Sequence, residues 1–264
     1  MELNIYSSTP LDLKHGQLVF LTNQGLFGLT KKNLLSDQSL AELVVGEEII
    51  DPERQEPVFQ IVGSFWSPQG DLYSRRSLWL EVKRDYYLQG QKRPFIYRKE
   101  GWSLAWIVLS DKGYQGLRQD LSGPEVPLLM ERNFSLCLKK GFLIPDNKIE
   151  LKNLLINLAL EQRFDLIITT GGTGVTSRDI TPEVTMSILD KRLFGFEQAI
   201  LLAALDKTPQ AMISRAVCGI LNRSLIVNLP GSPKAVRENL QTIIPAINHT
   251  LEKVHDVSTD CAKA

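Results

Sequence analysis

Leu166–Pro182 reads LIITTGGTGVTSRDITP, and its character changes from strand to loop to helix start within that short span. Leu166, Ile167 and Ile168 form an apolar, largely β-branched run that suits a strand covered on both faces. Gly171, Gly172 and Gly174 release the backbone from its usual φ limits. Successive N–H groups of such a turn converge into an anion-binding concavity. Thr181 and Pro182 read as a helix start, Thr as N-cap and Pro at the first helical position. Glu183 places negative charge in the first turn, where the helix dipole favours it. The loop thus presents backbone donors and the hydroxyls of Thr170, Thr173, Thr176 and Ser177 beside one carboxylate, Asp179. That set suits a phosphate with its Mg²⁺ ion. It is neither a P-loop nor a GxGxxG dinucleotide loop. A glycine turn used for geometry alone explains the same residues, so the loop by itself names no reaction.

The flanking segments place the loop in a fold. Leu104–Leu109 (LAWIVL) is a second buried-strand run, followed by a polar loop, Ser110–Asp120. Ser122 is read as the cap of a helix over about residues 123–140, and Phe142–Ile144 as a short strand ending in Pro145-Asp146-Asn147. The stripe of Ile149, Leu151, Leu154, Leu155, Leu158 and Ala159 predicts a helix over 148–162. Further helices are expected from Thr181 to about Lys191 and over Phe196–Leu205. A turn or short helix opens at Thr208-Pro209, Ser214-Arg215 precede a turn at Gly219, and Leu225–Asn228 is another buried strand. Ser232 and Pro233 start the last helix, which runs to about Leu240 and continues or restarts past Pro245 to His255. Alternating strands and helices with covered strands mean an α/β domain with a three-layer, mostly parallel sheet. In such sheets ligands sit outside the carboxyl ends of the strands. The loops Ser110–Ser122, Pro145–Asn147, Thr169–Thr181 and Leu229–Pro233 would then share one edge.

Residues 1–99 form a separate, small β-rich domain. Its candidate strands are Glu2–Tyr6, Gln17–Thr22, Val58–Val62 and Ser77–Val82, with turns at Asn23-Gln24-Gly25, Ser67-Pro68-Gln69-Gly70 and Gly90 and a short helix at Ser39–Val44. Trp66, Tyr86, Tyr87 and Tyr97 are read as packing residues. Lys92, Arg93, Arg98 and Lys99 are read as a solvated linker. No function is assigned to this domain. Residues 100–264 form the second domain.

Bulk properties narrow the classes. The 264 residues are 43% hydrophobic and 23% charged, with 30 Lys plus Arg against 30 Asp plus Glu. A balanced charge offers no field for nucleic acid or an anionic membrane. No apolar run approaches the ~20 residues of a membrane helix. MELNIYSSTPLDLKHG lacks a signal pattern, which points to the cytoplasm. Cys137, Cys218 and Cys261 show no metal or disulfide spacing. His249 and His255 fall where a C-terminal helix would be capped.

The motifs in order resemble the molybdopterin-binding domain family, and within it the members that adenylylate molybdopterin. The resemblance covers roughly residues 102–254. It rests on Ser110-Asp111, Asp120-Leu-Ser-Gly123, Ile144-Pro-Asp146, Thr169-Thr-Gly-Gly-Thr-Gly174, Arg178-Asp-Ile-Thr-Pro182, Thr208-Pro-Gln-Ala-Met212, Ser214-Arg215 and Leu229-Pro-Gly-Ser-Pro233. It implies that the terminal phosphate of molybdopterin attacks the α-phosphate of ATP and that pyrophosphate leaves. Asp146 and Asp179 match the family's two functional aspartates, which implies magnesium binding and orientation of the phosphates. Thr170, Gly171, Gly172, Thr173 and Gly174 would cradle phosphate. Ser110, Asp111 and Asp120 would sit at the nucleotide rim. Ser214 and Arg215 would hold the molybdopterin phosphate, and Pro230, Gly231 and Ser232 would offer a second anion site at a helix start. The resemblance also implies a homotrimer and contact with a molybdate-insertion protein. One segment departs. Where the family often reads PGFxExxR, this chain has Phe194-Gly-Phe-Glu-Gln-Ala-Ile-Leu201. A non-catalytic molybdopterin carrier and the molybdate-insertion step itself are the alternatives.

Overall fold

The computed structural model describes residues 2–23, 33–69 and 73–256. Gln24, Gly25, Gly70 and Cys261 lie outside them, whereas Ser67, Pro68 and Gln69, expected in a turn, are paired as strand. The chain divides into two compact units, Met1–Glu100 and Gly101–Ala264.

The described residues of the first unit form nine strands: β1 (Glu2–Ile5), β2 (Leu11–Leu13), β3 (Leu18–Thr22), β4 (Asn33–Leu35), β5 (Glu48–Asp51), β6 (Glu56–Gln69), β7 (Tyr73–Val82), β8 (Tyr86–Leu88) and β9 (Arg93–Arg98). Seven of them form one sheet in the order β1-β9-β5-β6-β7-β3-β4, and β2 pairs with β8. Tyr6 and Leu35 exchange both backbone hydrogen bonds, at 3.0 and 2.8 Å. That bridge joins the β1 end of the sheet to β4, so the sheet closes on itself and its edges are satisfied. Ile5, Leu21, Leu34, Ile49, Phe59, Leu80 and Phe95 fill the interior. Tyr86 is buried with them, whereas Trp66 and Tyr87 are exposed, contrary to the packing expected of all four aromatics. Ser39–Val44 is irregular rather than helical. Nη1 of Arg76 donates to the carbonyls of Leu40 (2.7 Å) and Leu43 (2.8 Å). Glu47 takes the Val44 N–H. The groups a helix would have paired are already committed.

The second unit begins with β10 (Trp102–Leu109), α1 (Asp111–Tyr114), α2 (Glu125–Glu131) and β11 (Leu136–Ile144). Then come α3 (Lys148–Ile156), which continues as a π-helical turn over Asn157–Gln162, β12 (Leu166–Thr170) and α4 (Thr181–Met186). β13 (Lys191–Arg192), α5 (Phe194–Leu205), a 3₁₀ turn (Pro209–Ile213), β14 (Cys218–Leu221), β15 (Ser224–Leu229) and α6 (Pro233–Val254) complete it. The sheet order is β11-β10-β12-β15-β14-β13. The first four strands are parallel, and β14 and β13 add an antiparallel edge. Alternate residues feed the two faces. Leu104, Leu166, Ile168, Leu225, Val227 and Leu229 pack with α2 and α6. On the other face, the Asn228 amide donates to Thr169 Oγ1 and to Thr185 Oγ1 of α4. Helices on both faces of a mostly parallel sheet are the expected three layers.

Several local expectations change. The helix read over 123–140 is only α2, and its second half belongs to β11. β11 is an edge strand, so Lys139 and Lys140 stay exposed and no buried run marks it. Gly141 lets it pass Trp106, because a Cβ there would lie 2.5 Å from the ring. Thr181 is not the cap of α4: its hydroxyl donates to the Gly171 carbonyl at 2.9 Å and so binds the helix start to the glycine loop. α4 ends at Met186, short of Lys191. Gly219 lies inside β14 rather than at a turn. α6 is one helix through Pro245, held by the buried stripe Val236, Leu240, Ile243, Ile247 and Leu251. Ser232 caps it by accepting the Ala235 N–H at 3.2 Å.

Candidate active site

In the second unit, β10 sits between β11 and β12, so the chain leaves it first to one side and then returns to the other. A crevice opens at the carboxyl ends beyond such a reversal. A cavity of about 730 Å³ lies there, the size of a small-molecule site. Its walls come from the loops after β10, β11, β12 and β15, as the parallel arrangement requires. Of the sequence-predicted residues, Ser110, Asp111, Asp120, Asp146, Gly171, Gly172, Thr173, Gly174, Asp179, Ser214, Pro230, Gly231 and Ser232 line it. Thr170 and Arg215 do not.

The glycine loop is built by close approaches. Gly171 has φ +98° and donates its N–H to Leu229 O at 3.0 Å. Gly172 has φ +63°. Because the Gly171 N–H is used inside the sheet, it is not a free anion donor, which corrects its expected role. Gly172 and Thr173 keep N–H groups with no protein acceptor among the described residues. Arg215 also needs correction. Its guanidinium donates to Gly174 O at 2.7 Å and Asp179 O at 2.8 Å, and pairs with Glu183. All three of its nitrogens are engaged in holding the loop, so it braces the site instead of reaching for a phosphate. Thr170 is fully buried beneath the loop, 3.3 Å from the Ser122 hydroxyl.

Other polar residues divide into those that shape the wall and those with free valence. Asp120, not Ser122, organises the entry to α2: its carboxylate accepts from Ser122 N, Ser122 Oγ and Gly123 N. Ser110 caps α1 through Gly113 N. Asn147 caps α3, accepting from Ile149 and Glu150, so Asp146 is not spent on capping. Ser214 Oγ is buried without a hydrogen-bond partner, a costly state for a hydroxyl unless a ligand completes it. Sequence reasoning missed Lys112, Arg118 and Lys207, which line the cavity with no ion-pair partner among the described residues. Lys112 and Arg118 lie inside the Ser110–Ser122 loop and Lys207 directly precedes the Thr208-Pro209 motif, which was the available signal.

Asp146 and Asp179 differ electrostatically. Burial, and then the negative charge of Asp179, raise the Asp146 carboxyl above its ordinary value of 3.8. Burial acts the same way on Asp179, but the hydroxyl and N–H of Thr176, the Gly174 N–H and Arg215 outweigh it and hold Asp179 below the ordinary range. Ionised Asp146 therefore destabilises the fold, with the penalty absent below the unfolded value and complete above the raised folded one. Asp146→Asn is expected to raise Tm at neutral pH and leave it unchanged in acid, below about pH 3.8; thermal melts at the two pH values check this.

A family profile described as "Probable molybdopterin binding domain" matches residues 105–249. The chain belongs to the molybdopterin-binding domain family. The match lies within the second unit. The chain is 37% identical over 149 residues to a protein named molybdopterin adenylyltransferase from Helicobacter pylori, covering 56% of this chain and 85% of that one. It is 38% identical over 163 residues to gephyrin of Dictyostelium discoideum, covering 58% of this chain but spanning only 23% of gephyrin's length. Among solved structures, a molybdopterin biosynthesis enzyme MoaB from Thermus thermophilus matches with TM-score 0.54 and 37% identity, over 59% of this chain and 97% of that one. The molybdopterin biosynthesis Mog protein from Mycobacterium ulcerans matches with TM-score 0.55 and 35% identity, over 58% and 99%. The relatives named for molybdopterin adenylyl transfer and molybdopterin biosynthesis are thus matched over most of their own length. The family segment in which this chain departs, Phe194–Leu201, contributes nothing to the cavity wall, which resumes at Ala204. There Glu197 binds Arg192 and accepts the Cys218 N–H at 3.0 Å, so it fastens α5 to the sheet edge.

Proposed function

We propose that the cavity of the second unit transfers AMP from ATP to the terminal phosphate of molybdopterin with Mg²⁺. A phosphate oxygen of molybdopterin forms a bond to the α-phosphorus of ATP, the bond to the β-phosphate breaks, and pyrophosphate leaves with its electron pair. The observation that carries the reading is one cavity containing two aspartates of opposed tuning, two free N–H groups and an unpartnered buried hydroxyl. Phosphoryl transfer asks mainly for positioning and charge stabilisation. Gly172, Thr173 and Ser214 supply donors, and Lys112, Arg118 and Lys207 supply positive charge for two polyanions. The name of the Helicobacter relative supports the same reaction.

The residues fit Mg²⁺. Among the described residues no three His, Cys, Asp or Glu side chains form a cage. Two carboxylates joined by substrate phosphates are what this hard cation usually takes. Asp146 and Asp179 would hold it, and it would neutralise charge on the phosphate oxygens. Asp179 is already ionised for that role. A bound cation would offset the repulsion from Asp179 that raises the Asp146 carboxyl.

Association is part of the proposal. Phe194, Leu201 and Leu202 of α5, with Met212 and Ile213 beside it, are exposed apolar side chains. Exposed apolar side chains on one helix and the turn after it suit a protein contact, and a homotrimer would cover them. The adenylylated product is a substrate for metal insertion, so contact with a molybdate-insertion protein in the cytoplasm would pass it on directly. No helix among the described residues is long and apolar enough to cross a membrane.

Pyrophosphate release with molybdopterin, ATP and Mg²⁺ tests the reading. Release that requires all three supports it. Molybdopterin binding without release would replace it with a carrier role.

A further inference from the structure

Asp111 is a cavity carboxylate with no part in the transfer as outlined. It opens α1, directly after the central strand β10. Its Oδ1 accepts the Asp146 N–H at 3.1 Å. Its Oδ2 pairs with the guanidinium of Arg178, the residue before Asp179. Asp146 follows β11 and Arg178 lies on the loop after β12, the two strands that flank β10. Among the described residues, no other side chain bonds both loops. We infer that Asp111 is a positioning residue: by holding the Asp146 backbone with one oxygen and Arg178 with the other, it sets the separation of Asp146 and Asp179. The inference deepens the adenylyl-transfer reading and rests on it for the role of those two aspartates.

The physical need is specific. Two carboxylates that must share a cation repel one another until it arrives, and loops are free to relieve that repulsion by moving apart. A tether from the strand between the loops opposes the movement. It costs the site little, because Asp111 binds a backbone N–H on one side and an exposed arginine on the other. Partners that orient cation ligands in this way typically change affinity or activity by about 10–100-fold when removed.

Two variants separate the tether from a direct role. Asp111→Ala removes both bonds, whereas Asp111→Asn keeps an oxygen for the Asp146 N–H and loses the charge that pairs with Arg178. Two readouts are used: Mn²⁺ affinity in the presence of ATP, followed by electron paramagnetic resonance, and hydrogen exchange of the amides of Asp146, Asn147 and residues 176–179. Exchange needs neither substrate nor turnover. The expected result is a weakening of Mn²⁺ binding by about 10–100-fold in Asp111→Ala and by less in Asp111→Asn. Faster exchange in both loops of the alanine variant, with KM for molybdopterin unchanged, completes it. Unchanged exchange in both loops of Asp111→Ala would overturn the inference, whatever the activity. So would an asparagine variant that binds Mn²⁺ as weakly as the alanine variant while its loops exchange normally, because Asp111 would then act by its charge on the cation. Wild-type protein that releases no pyrophosphate would reject the adenylyl-transfer reading instead, and the exchange measurement would still judge the tether.

Discussion

Asp179→Asn is expected to lower the rate of adenylyl transfer by about 10²–10³-fold, the usual cost of removing one preorganised electrostatic group from a transition state. The asparagine carbonyl can still accept from Thr176 N and Oγ1, which hold Asp179 Oδ2 at 2.8 and 2.7 Å. The loop therefore keeps its shape, and the loss reports charge rather than geometry. The variant also carries a signature on its neighbour. The negative charge of Asp179 helps to raise the Asp146 carboxyl. Its removal should move the Asp146 titration to lower pH, as seen by carboxyl-carbon NMR. The stability effect has the opposite sign from that of Asp146→Asn. The folded-state value of Asp179 is depressed, so its ionised form contributes stability above the unfolded value, and this is lost as pH falls through the folded one. Asp179→Asn should then lower Tm slightly at neutral pH and converge on wild type in acid. An active variant would remove Asp179 from the reaction.

Gly171→Ala is expected to destabilise the second unit strongly. At φ +98° an L-residue is strained, and the new Cβ would lie 2.5 Å from Leu109 O, a backbone atom that no side-chain rotation can move. Strain of about 1–3 kcal/mol and overpacking of about 1–3 kcal/mol add to roughly 2–6 kcal/mol. That corresponds to a fall in Tm of about 4–24 °C for a unit of this size. The movement also displaces the end of β10, and with it Ser110 and Asp111, so activity falls as well. Gly231→Ala is the control. Its Cβ would meet only Gly171, with Cα at 3.4 Å, an ordinary contact, and its stability should stay within about 1 kcal/mol of wild type. Urea unfolding of both variants makes the comparison; equal stabilities would show that the β12 loop can rearrange.

What the sequence determined by itself was whatever short-range chemistry encodes. The apolar runs of β10, β12 and β15 mark strands buried on both faces. The stripe of α3 and the Ser232-Pro233 start of α6 mark helices, because caps and periodicity act within a few residues. The glycines at 171 and 172 announce a backbone that other residues resist. The order of the polar motifs named the family, and thirteen of the fifteen residues those motifs put forward line the cavity.

Tertiary structure decided what depends on partners distant in the chain. β11 was read half as helix because an edge strand needs only one covered face, and its lysines hide the pattern. Closure of the first sheet at Tyr6 and Leu35 rests on two hydrogen bonds across the chain, which no local pattern announces. Arg215 looked like a phosphate ligand because a cation beside a hydroxyl suits that role. Only the fold shows its nitrogens engaged by Gly174, Asp179 and Glu183. The same holds for Asp111, whose two oxygens reach loops on either side of β10. A side chain's type limits which bonds it can make, but the parallel order β11-β10-β12-β15 determines which atoms come within reach.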